Sequence, residues 1–170
     1  MTVLEVRNLS KSFGGLKAID DLSLAVRPGQ CFGIIGANGA GKTTLLNLIT
    51  GYQRPTSGSI LFEGQPVTGL APYRLAALGM ARTFQVVQPF AEMSVLENVM
   101  VGALFARHGR RRSLAEARAA CARPLELVGL ADQAQTLAGA LTLGGKKKLE
   151  LARVLATEPK LMLLDEVMAG

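Results

Sequence analysis

One stretch decides how this chain folds, Gly36-Ala37-Asn38-Gly39-Ala40-Gly41-Lys42-Thr43-Thr44. It fits the pattern G-x-x-x-x-G-K-[ST] of a phosphate-binding loop. An apolar segment, Cys31-Phe32-Gly33-Ile34-Ile35, precedes the loop and is typical of a buried parallel strand. The residues that follow, Leu45-Leu46-Asn47-Leu48-Ile49, begin a helix with one apolar face. The order of strand, loop and helix therefore predicts a site for the phosphates of a nucleotide.

The residue types in this loop suit a polyanion. Gly36, Gly39 and Gly41 let the backbone bend so that its N–H groups converge on one anion. The first turn of the helix adds unpaired N–H groups and a partial positive charge. Lys42 is expected to reach the β- and γ-phosphates, and the Thr43 hydroxyl is expected to be a ligand of Mg²⁺. The competing interpretation is a glycine-rich turn with a solvated lysine, which the flanking strand and helix disfavour.

Composition places the chain among globular proteins with an aliphatic core. Of its 170 residues 49% are hydrophobic, only 5% are aromatic, and the net charge is +6. Part of that charge lies in the basic run 107–112, which could meet nucleic acid or anionic lipid but is more simply a solvated loop. No interleaving of basic and aromatic residues supports a nucleic-acid surface. Cys31 and Cys121 lack the spacing of metal ligands, and no apolar run reaches the roughly 18 residues of a membrane-spanning helix.

Strands and helices are expected to alternate along the rest of the chain. Ser94 with Glu97, and Ser113 with Glu116, match the capping box and open two helices. Pro124 would kink or break the second of them. We expect a single domain over 1–170 with a helical insertion at about 90–135. The predicted strands are 3–9, 21–26, 59–62, 79–84 and 161–164, and the predicted helices are 72–78, 94–106, 113–128 and 146–157.

A second motif ends the last predicted strand. Four apolar residues, 161–164, suggest a strand buried on both faces, and Asp165 and Glu166 follow it. In an open parallel sheet ligands bind beyond the carboxyl ends of the strands, so Asp165 is expected to face the phosphate loop and hold Mg²⁺. Glu166 is expected to orient or deprotonate an attacking water. The two carboxylates could instead cap a following helix, but the phosphate loop favours the metal and base roles.

Phe13 lies in a turn-rich stretch, 10–15, between the first two predicted strands. At a strand–loop position an aromatic ring can stack on an adenine base, which presents a π face. A core position is the alternative for this residue.

With these motifs in this order, the chain resembles the ATP-binding subunits of ABC transporters. The resemblance covers essentially the whole chain and implies an α/β fold, a P-loop NTPase sheet with flanking antiparallel strands and a helical insertion. It implies ATP and Mg²⁺ as the bound species. The ATP-binding residues implied for the phosphate loop are Gly36, Asn38, Gly39, Ala40, Gly41, Lys42, Thr43 and Thr44.

The same resemblance implies roles for residues elsewhere. Phe13 falls at the family's adenine-stacking aromatic residue. Gln85 falls at the family's Q-loop glutamine, which contacts Mg²⁺ and the attacking water and couples to the membrane subunits. The stretch 141–145 falls at the signature motif, where Thr142 and Gly144 would complete the ATP site of a second subunit.

Within that family, three stretches are similar to the branched-chain amino acid importer branch. They are Phe13-Gly14-Gly15-Leu16-Lys17-Ala18, Ala81-Arg82-Thr83-Phe84-Gln85 and Met93-Ser94-Val95-Leu96-Glu97-Asn98-Val99. The branch includes urea and amide importers and lies near lipopolysaccharide-export ATPases. The implied partners are membrane-spanning permease subunits, a second ATP-binding subunit of the same or a related kind and, indirectly, an external binding protein. The implied location is the cytoplasmic face of the inner membrane, as a peripheral subunit.

Three departures from the family pattern qualify this expectation. The family signature is L-S-G-G-Q, whereas Leu143 replaces its first glycine and Gly145 its glutamine. Val167 stands where proline is usual. The printed sequence stops at Gly170, before the family's dimer-contact loop and switch histidine, and His108 cannot fill that role by position. The C-terminal part of the domain is therefore expected to be missing.

Two other classes of function stay open. One is a nucleotide-binding module that does not hydrolyse ATP because the switch histidine and dimer loop are absent. The other is a soluble ATPase of DNA repair or translation. That class is disfavoured because the chain has no sustained heptads and only one phosphate loop.

Overall fold

The computed structural model describes residues 2–84, 88–105 and 112–165. The chain forms two compact units, 1–75 and 76–170. The expected mixed α/β class is confirmed, with antiparallel strands in the first unit and a parallel pair in the second. Gln85, Glu166 and most of the basic run, with His108, lie outside the described residues.

The first unit is built on a four-stranded antiparallel sheet of order β2-β1-β3-β4. Its strands are β1 (Leu4–Phe13), β2 (Leu16–Val26), β3 (Ser57–Phe62) and β4 (Gln65–Pro66). Ending β1 at residue 9 was wrong, because the strand continues to Phe13, which pairs with Leu16 across the tight turn at 14–15. Register shifts between β1 and β2 interrupt the alternation of inward and outward side chains, and this alternation is what a strand prediction from sequence relies on.

Helix α1 (Lys42–Ile49) forms as predicted and supplies the helical part of the first core. It buries four apolar side chains, and the sheet buries others with them. Helix α2 (Pro72–Leu78) also matches its predicted bounds. The most deeply buried side chains of α1 and the sheet are Leu45, Leu48, Ile49, Val6, Leu9, Ile60 and Phe62.

The segment 31–35 does not form the buried strand that the sequence predicts. It has no assigned strand, and its residues are exposed, Ile35 at 99% and Phe32 at 43%. A strand needs a neighbour to pair its backbone N–H and C=O groups. In the described part of the first unit, the four strands pair only among themselves. The apolar run at 31–35 predicts a hydrophobic segment, but it does not identify a neighbouring strand with which that segment could pair.

The second unit combines a short parallel sheet with a helical cluster. The sheet pairs β5 (Met80–Arg82) with β6 (Leu161–Leu163). Two 3-10 turns, 131–133 and 138–140, lead toward the last helix. The helices are α3 (Val95–Leu104), α4 (Leu114–Ala120), α5 (Ala122–Leu127) and α6 (Leu143–Ala156).

Both predicted capping boxes are present. Ser94 accepts from the N–H of Glu97 and Ser113 from that of Glu116, while each glutamate accepts from the serine N–H. The helix expected over 113–128 breaks at Cys121, in agreement with the expected effect of Pro124. Helices α3 and α4 thus begin where side-chain caps were visible in the sequence.

The boundaries of α6 and β6 also differ from the predicted ones. Helix α6 begins at Leu143 instead of Lys146, because the Thr142 hydroxyl accepts from the Gly145 N–H and caps the helix ahead of the glycine pair. Strand β6 ends at Leu163, and Leu164 is 49% exposed, so the prediction of four residues buried on both faces was wrong. Only Leu163 of this strand is buried.

The helices of the second unit pack at close range where α3 meets α6. At Gly102, an added Cβ would lie 2.4 Å from the carbonyl oxygen of Arg153. The packed side chains around it are apolar, including Val99, Ala103, Leu149 and Ala152. Only a residue without a side chain lets these two helix backbones approach so closely.

We therefore expect Gly102→Ala to destabilise the chain, although alanine is the better helix former. The overpacked backbone contact should cost about 1–3 kcal/mol, which exceeds the roughly 1 kcal/mol that alanine gains in a helix. The matched control is Gly144→Ala in α6, where an added Cβ meets nothing within 4 Å. Urea unfolding should show a loss for Gly102→Ala and none for Gly144→Ala, and equal free energies of unfolding would contradict this interpretation.

Candidate functional site

The phosphate loop keeps a conformation that its glycines allow. Gly39 and Gly41 have φ of 83° and 86°, in the left-handed region that favours glycine. A Cβ on Gly41 would also lie 2.6 Å from the carbonyl oxygen of Ala18 in β2. Gly41 is the N-cap of α1 and provides no side-chain cap, and the first turn of α1 carries no acidic residue. The helix N-terminus is therefore left to an external anion.

Lys42 reaches back over the loop. Its Nζ donates to the carbonyl oxygens of Gly36 at 2.6 Å and Ala37 at 2.9 Å. A lysine ammonium has three donors, and these two bonds hold its charge above the loop backbone. Thr43 is exposed and Thr44 half-buried, while Asn38 and Ala40 lie in the exposed turn of the loop.

Phe13 lies on the same hairpin that the loop contacts. It pairs with Leu16, two residues before Ala18, which packs against Gly41. The ring is 45% exposed, so the core alternative for Phe13 is disfavoured. Lys11 lies over the ring with its Nζ 5.0 Å from the centroid. The first unit therefore brings an exposed aromatic ring into the neighbourhood of the phosphate loop.

Asp165 follows β6 in the second unit and is almost entirely buried. Its Oδ2 accepts from Arg82 Nη2 at 3.0 Å, and its backbone N–H donates to the Thr83 hydroxyl at 3.2 Å. A buried carboxylate needs such partners, because an unpaired charge in the interior is costly. These roles of Arg82 and Thr83 were not predicted from the sequence, although both residues lie in the stretch 81–85 that is similar to the importer branch.

The signature stretch forms the N-terminus of α6. Thr142 is the N-cap, and Leu143, Gly144 and Gly145 make up the first turn. Gly144 is exposed and has open space beside its Cα. The Thr142 hydroxyl caps the helix by accepting from the Gly145 N–H, and a hydroxyl that accepts a hydrogen bond can still donate one.

Helix α6 also holds the chain on both sides of residues 85–87. Glu150 Oε1 accepts from the Phe84 N–H at 2.6 Å, and Arg153 Nη1 donates to the Gln88 carbonyl at 3.3 Å. The Arg153 guanidinium lies 4.9 Å from the centroid of the Phe90 ring. Burial raises the pKa of Glu150, although the Phe84 N–H and the Arg153 charge act to lower it. Burial likewise lowers the pKa of Arg153.

Oxygen donors are available for a hard cation. The Thr43 hydroxyl of the first unit and the Asp165 carboxylate of the second are the ligand types that Mg²⁺ prefers. Between residues 2 and 165, leaving out 85–87 and 106–111, no group of three or more His, Cys, Asp or Glu side chains could hold a metal ion by itself. Each of these oxygen donors, taken within its own unit, would leave the other ligands of a bound cation to nucleotide phosphates and water.

Comparison with known proteins defines the class. The family model described as ABC transporter matches residues 19–169. The chain therefore belongs to the ABC transporter ATPase family. The fold agrees, since the chain superposes with a TM-score of 0.88 and 36% identity on the ADP conformation of MJ1267, an ATP-binding cassette of an ABC transporter. That superposition covers 100% of this chain and 70% of the other.

Named relatives point to one branch of that family. The chain is 40% identical to the high-affinity branched-chain amino acid transport ATP-binding protein BraF of Pseudomonas aeruginosa, over 99% of this chain and 70% of BraF. It is 38% identical, with the same coverage, to the corresponding protein LivG of Escherichia coli K12. In the portion of the chain that is described, no helix is long and apolar enough to cross a membrane.

The raised pKa of Glu150 predicts a pH-dependent effect of Glu150→Gln. A carboxyl whose pKa is higher in the folded state contributes stability below its unfolded pKa, and that contribution is lost as pH rises through the folded pKa. Glutamine keeps an oxygen acceptor for the Phe84 N–H but does not ionise. Urea unfolding should therefore show Glu150→Gln gaining on the parent as the pH rises from the unfolded pKa of about 4.3 through the higher folded pKa.

Glu150→Ala is the control for this experiment, because it removes the acceptor together with the charge. It should lose about 0.5–1.5 kcal/mol for the hydrogen bond at low pH, where the parent carboxyl is neutral. A constant difference between Glu150→Gln and the parent over the whole pH range would contradict the buried-charge explanation.

Proposed function

We propose that this chain binds and hydrolyses ATP to drive an ABC importer for branched-chain amino acids or related small amides. The observation that carries the proposal is the phosphate loop, in which Gly39 and Gly41 adopt left-handed φ and Lys42 lies over the loop carbonyls. Membership in the ABC transporter family and the names of its relatives support the transport role.

In the proposed mechanism, water attacks the γ-phosphate of ATP in line with the leaving oxygen. The uncapped N–H groups at the start of α1 would bind the phosphates, and Lys42 would turn from its own loop to the β- and γ-oxygens. Phe13 would stack on the adenine. A protein catalyses phosphoryl transfer mainly by positioning the reactants and stabilising charge, and it needs no covalent intermediate.

Thr43, Asp165 and Gln85 are the residues that we propose to hold Mg²⁺. When bound, Mg²⁺ would neutralise charge on the phosphate oxygens. Glu166 is proposed as the base that orients or deprotonates the attacking water, and Gln85 as a second contact to that water. The roles of Gln85 and Glu166 rest on their places in the sequence motifs.

The proposed assembly contains two ATP-binding subunits, identical or related. Thr142 and Gly144 of one subunit would bind the γ-phosphate held by the other. The first turn of α6 supports this role. Thr142 supplies a cap hydroxyl, Gly144 has open space beside its Cα, and the backbone N–H groups of a helix N-terminus can bind an anion. Membrane-spanning permease subunits would be moved by closure of this pair, and an external binding protein would act on them indirectly. The chain would then lie at the cytoplasmic face of the inner membrane.

Two alternatives differ in chemistry or cargo. A module that binds nucleotide without turnover would keep the same loop, and the lipopolysaccharide-export type of ATPase would use the same site for another substrate. The names of the relatives favour amino acid import over export. We propose no nucleic-acid partner.

Lys42→Ala should weaken ATP binding about 10–100-fold, because it removes a charge-assisted hydrogen bond worth about 1.5–3 kcal/mol. The measurement is a titration with a fluorescent ATP analogue. Lys148→Ala is the matched control, since Lys148 is an exposed lysine on α6, and it should stay within about twofold of the parent. Equal affinities for Lys42→Ala and the parent would sink the nucleotide-site proposal.

Glu166→Gln should abolish ATP turnover while ATP binding persists, with the ATP-bound chain shifting toward a dimer. The reason is that glutamine keeps the size of the side chain but cannot accept a proton at neutral pH. Steady-state phosphate release and size-exclusion chromatography with ATP measure the two effects. Glu126→Gln, an exposed glutamate on α5, is the control. No turnover by the parent chain would favour the non-hydrolysing module, and turnover unchanged by Glu166→Gln would count against the proposed base.

A further inference from the structure

The end of the parallel sheet brings Arg82 and Asp165 together through its register. Arg82 pairs with Leu163, and the pairing continues because the Thr83 N–H donates to the Leu163 carbonyl at 3.0 Å. Residues two apart in a strand point to the same face. Asp165, two residues beyond Leu163, therefore extends on the face that Arg82 occupies, and the Thr83 hydroxyl fixes its backbone.

The resulting ion pair is buried. The side chains of Arg82 and Asp165 are 6% and 9% exposed, and Arg82 Nη2 lies 3.0 Å from Asp165 Oδ2. The Phe84 ring covers the guanidinium, with 5.4 Å between its centroid and Cζ. Burying two charges costs desolvation that their attraction often fails to offset, so such a pair is weak evidence for a stabilising role. Because Asp165 is also a proposed Mg²⁺ ligand, the Arg82–Asp165 ion pair is a candidate for a functional role.

We propose that Arg82 is a positioning residue that fixes the Asp165 carboxylate for the Mg²⁺·nucleotide complex. The inference rests on the proposed function. By engaging Oδ2, Arg82 restricts rotation of the carboxylate, which has acceptor positions on both oxygens. Groups that orient a ligating carboxylate typically contribute about 10–100-fold to metal affinity.

The charge of Arg82 acts in the opposite sense, because a guanidinium near a cation site repels the cation. If repulsion dominated, loss of Arg82 would tighten Mg²⁺ binding; if orientation dominates, loss of Arg82 weakens it. Arg82→Lys separates the two effects, since lysine keeps the charge but lacks the planar fork of donors.

The test is a Mg²⁺ titration of the full chain with a fluorescent methylanthraniloyl ATP, with a second titration of the nucleotide in EDTA. In Arg82→Met the Mg²⁺ midpoint should rise about tenfold or more, while the affinity for nucleotide in EDTA stays within about twofold. Arg82→Lys should raise the midpoint as well. A midpoint that is unchanged or lowered in both variants would overturn the inference.

Controls make the result specific to the pair. Arg7→Met, at an exposed ion pair with Glu5, should leave the midpoint unchanged. In an Asp165→Asn background, Arg82→Met should add no further shift, and a full additional shift would overturn the inference. Where Arg82→Met fails to fold by circular dichroism, Arg82→Lys gives the deciding result.

The titrations distinguish failure of the proposed function from failure of the positioning role of Arg82. If the parent chain binds nucleotide without any effect of Mg²⁺, or does not bind it, the proposed function falls and this inference with it. If the parent shows the Mg²⁺ effect and both Arg82 variants share its midpoint, only the positioning role of Arg82 falls.

Discussion

The contact between Gly41 and the Ala18 carbonyl is the constraint on which the first unit depends. A Cβ at Gly41 would come within 2.6 Å of that oxygen, and its φ of 86° also favours glycine. These two requirements together place the N-terminus of α1 against β2. Because β2 continues back to the hairpin that carries Phe13, the same contact relates the phosphate loop to the exposed ring. Because the start of α1 has no side-chain cap, its backbone N–H groups remain available to an anion.

In the second unit, the short parallel sheet of β5 and β6 determines where Asp165 lies. Strands β5 and β6 contribute three residues each, too few to be stable as an isolated pair. Side-chain hydrogen bonds continue the pairing beyond the backbone ladder, since the Thr83 hydroxyl and the Arg82 guanidinium both bind Asp165. Removing one partner of a buried ion pair costs about 3–5 kcal/mol. The Asp165 carboxylate is thus held by contacts that are expensive to break, and they restrict its rotation.

Local signals in the sequence predicted much of this structure, and long-range pairing limited the rest. The capping boxes at Ser94 and Ser113 are local signals, so the starts of α3 and α4 were predicted correctly, whereas the start of α6 was not. The segment 31–35 was predicted as a buried strand from its apolar run alone, and it lies outside every described strand. Register shifts hid the true length of β1. The Arg82–Asp165 pair joins residues far apart in sequence, and only the parallel register shows that they share a face.

Helix α6 shows how one element can combine the signature stretch with the chain around residues 85–87. Thr142 caps the helix, Glu150 binds the Phe84 N–H about two turns later, and Arg153 binds the Gln88 carbonyl about three turns later. The raised pKa of Glu150 shows that burial outweighs the attraction of its partners, so this carboxylate is held at an electrostatic cost. Where the carboxyl is ionised, this cost offsets part of the stability that its hydrogen bond to the Phe84 N–H contributes. A displacement of α6 would have to break these bonds or carry the bound residues with it.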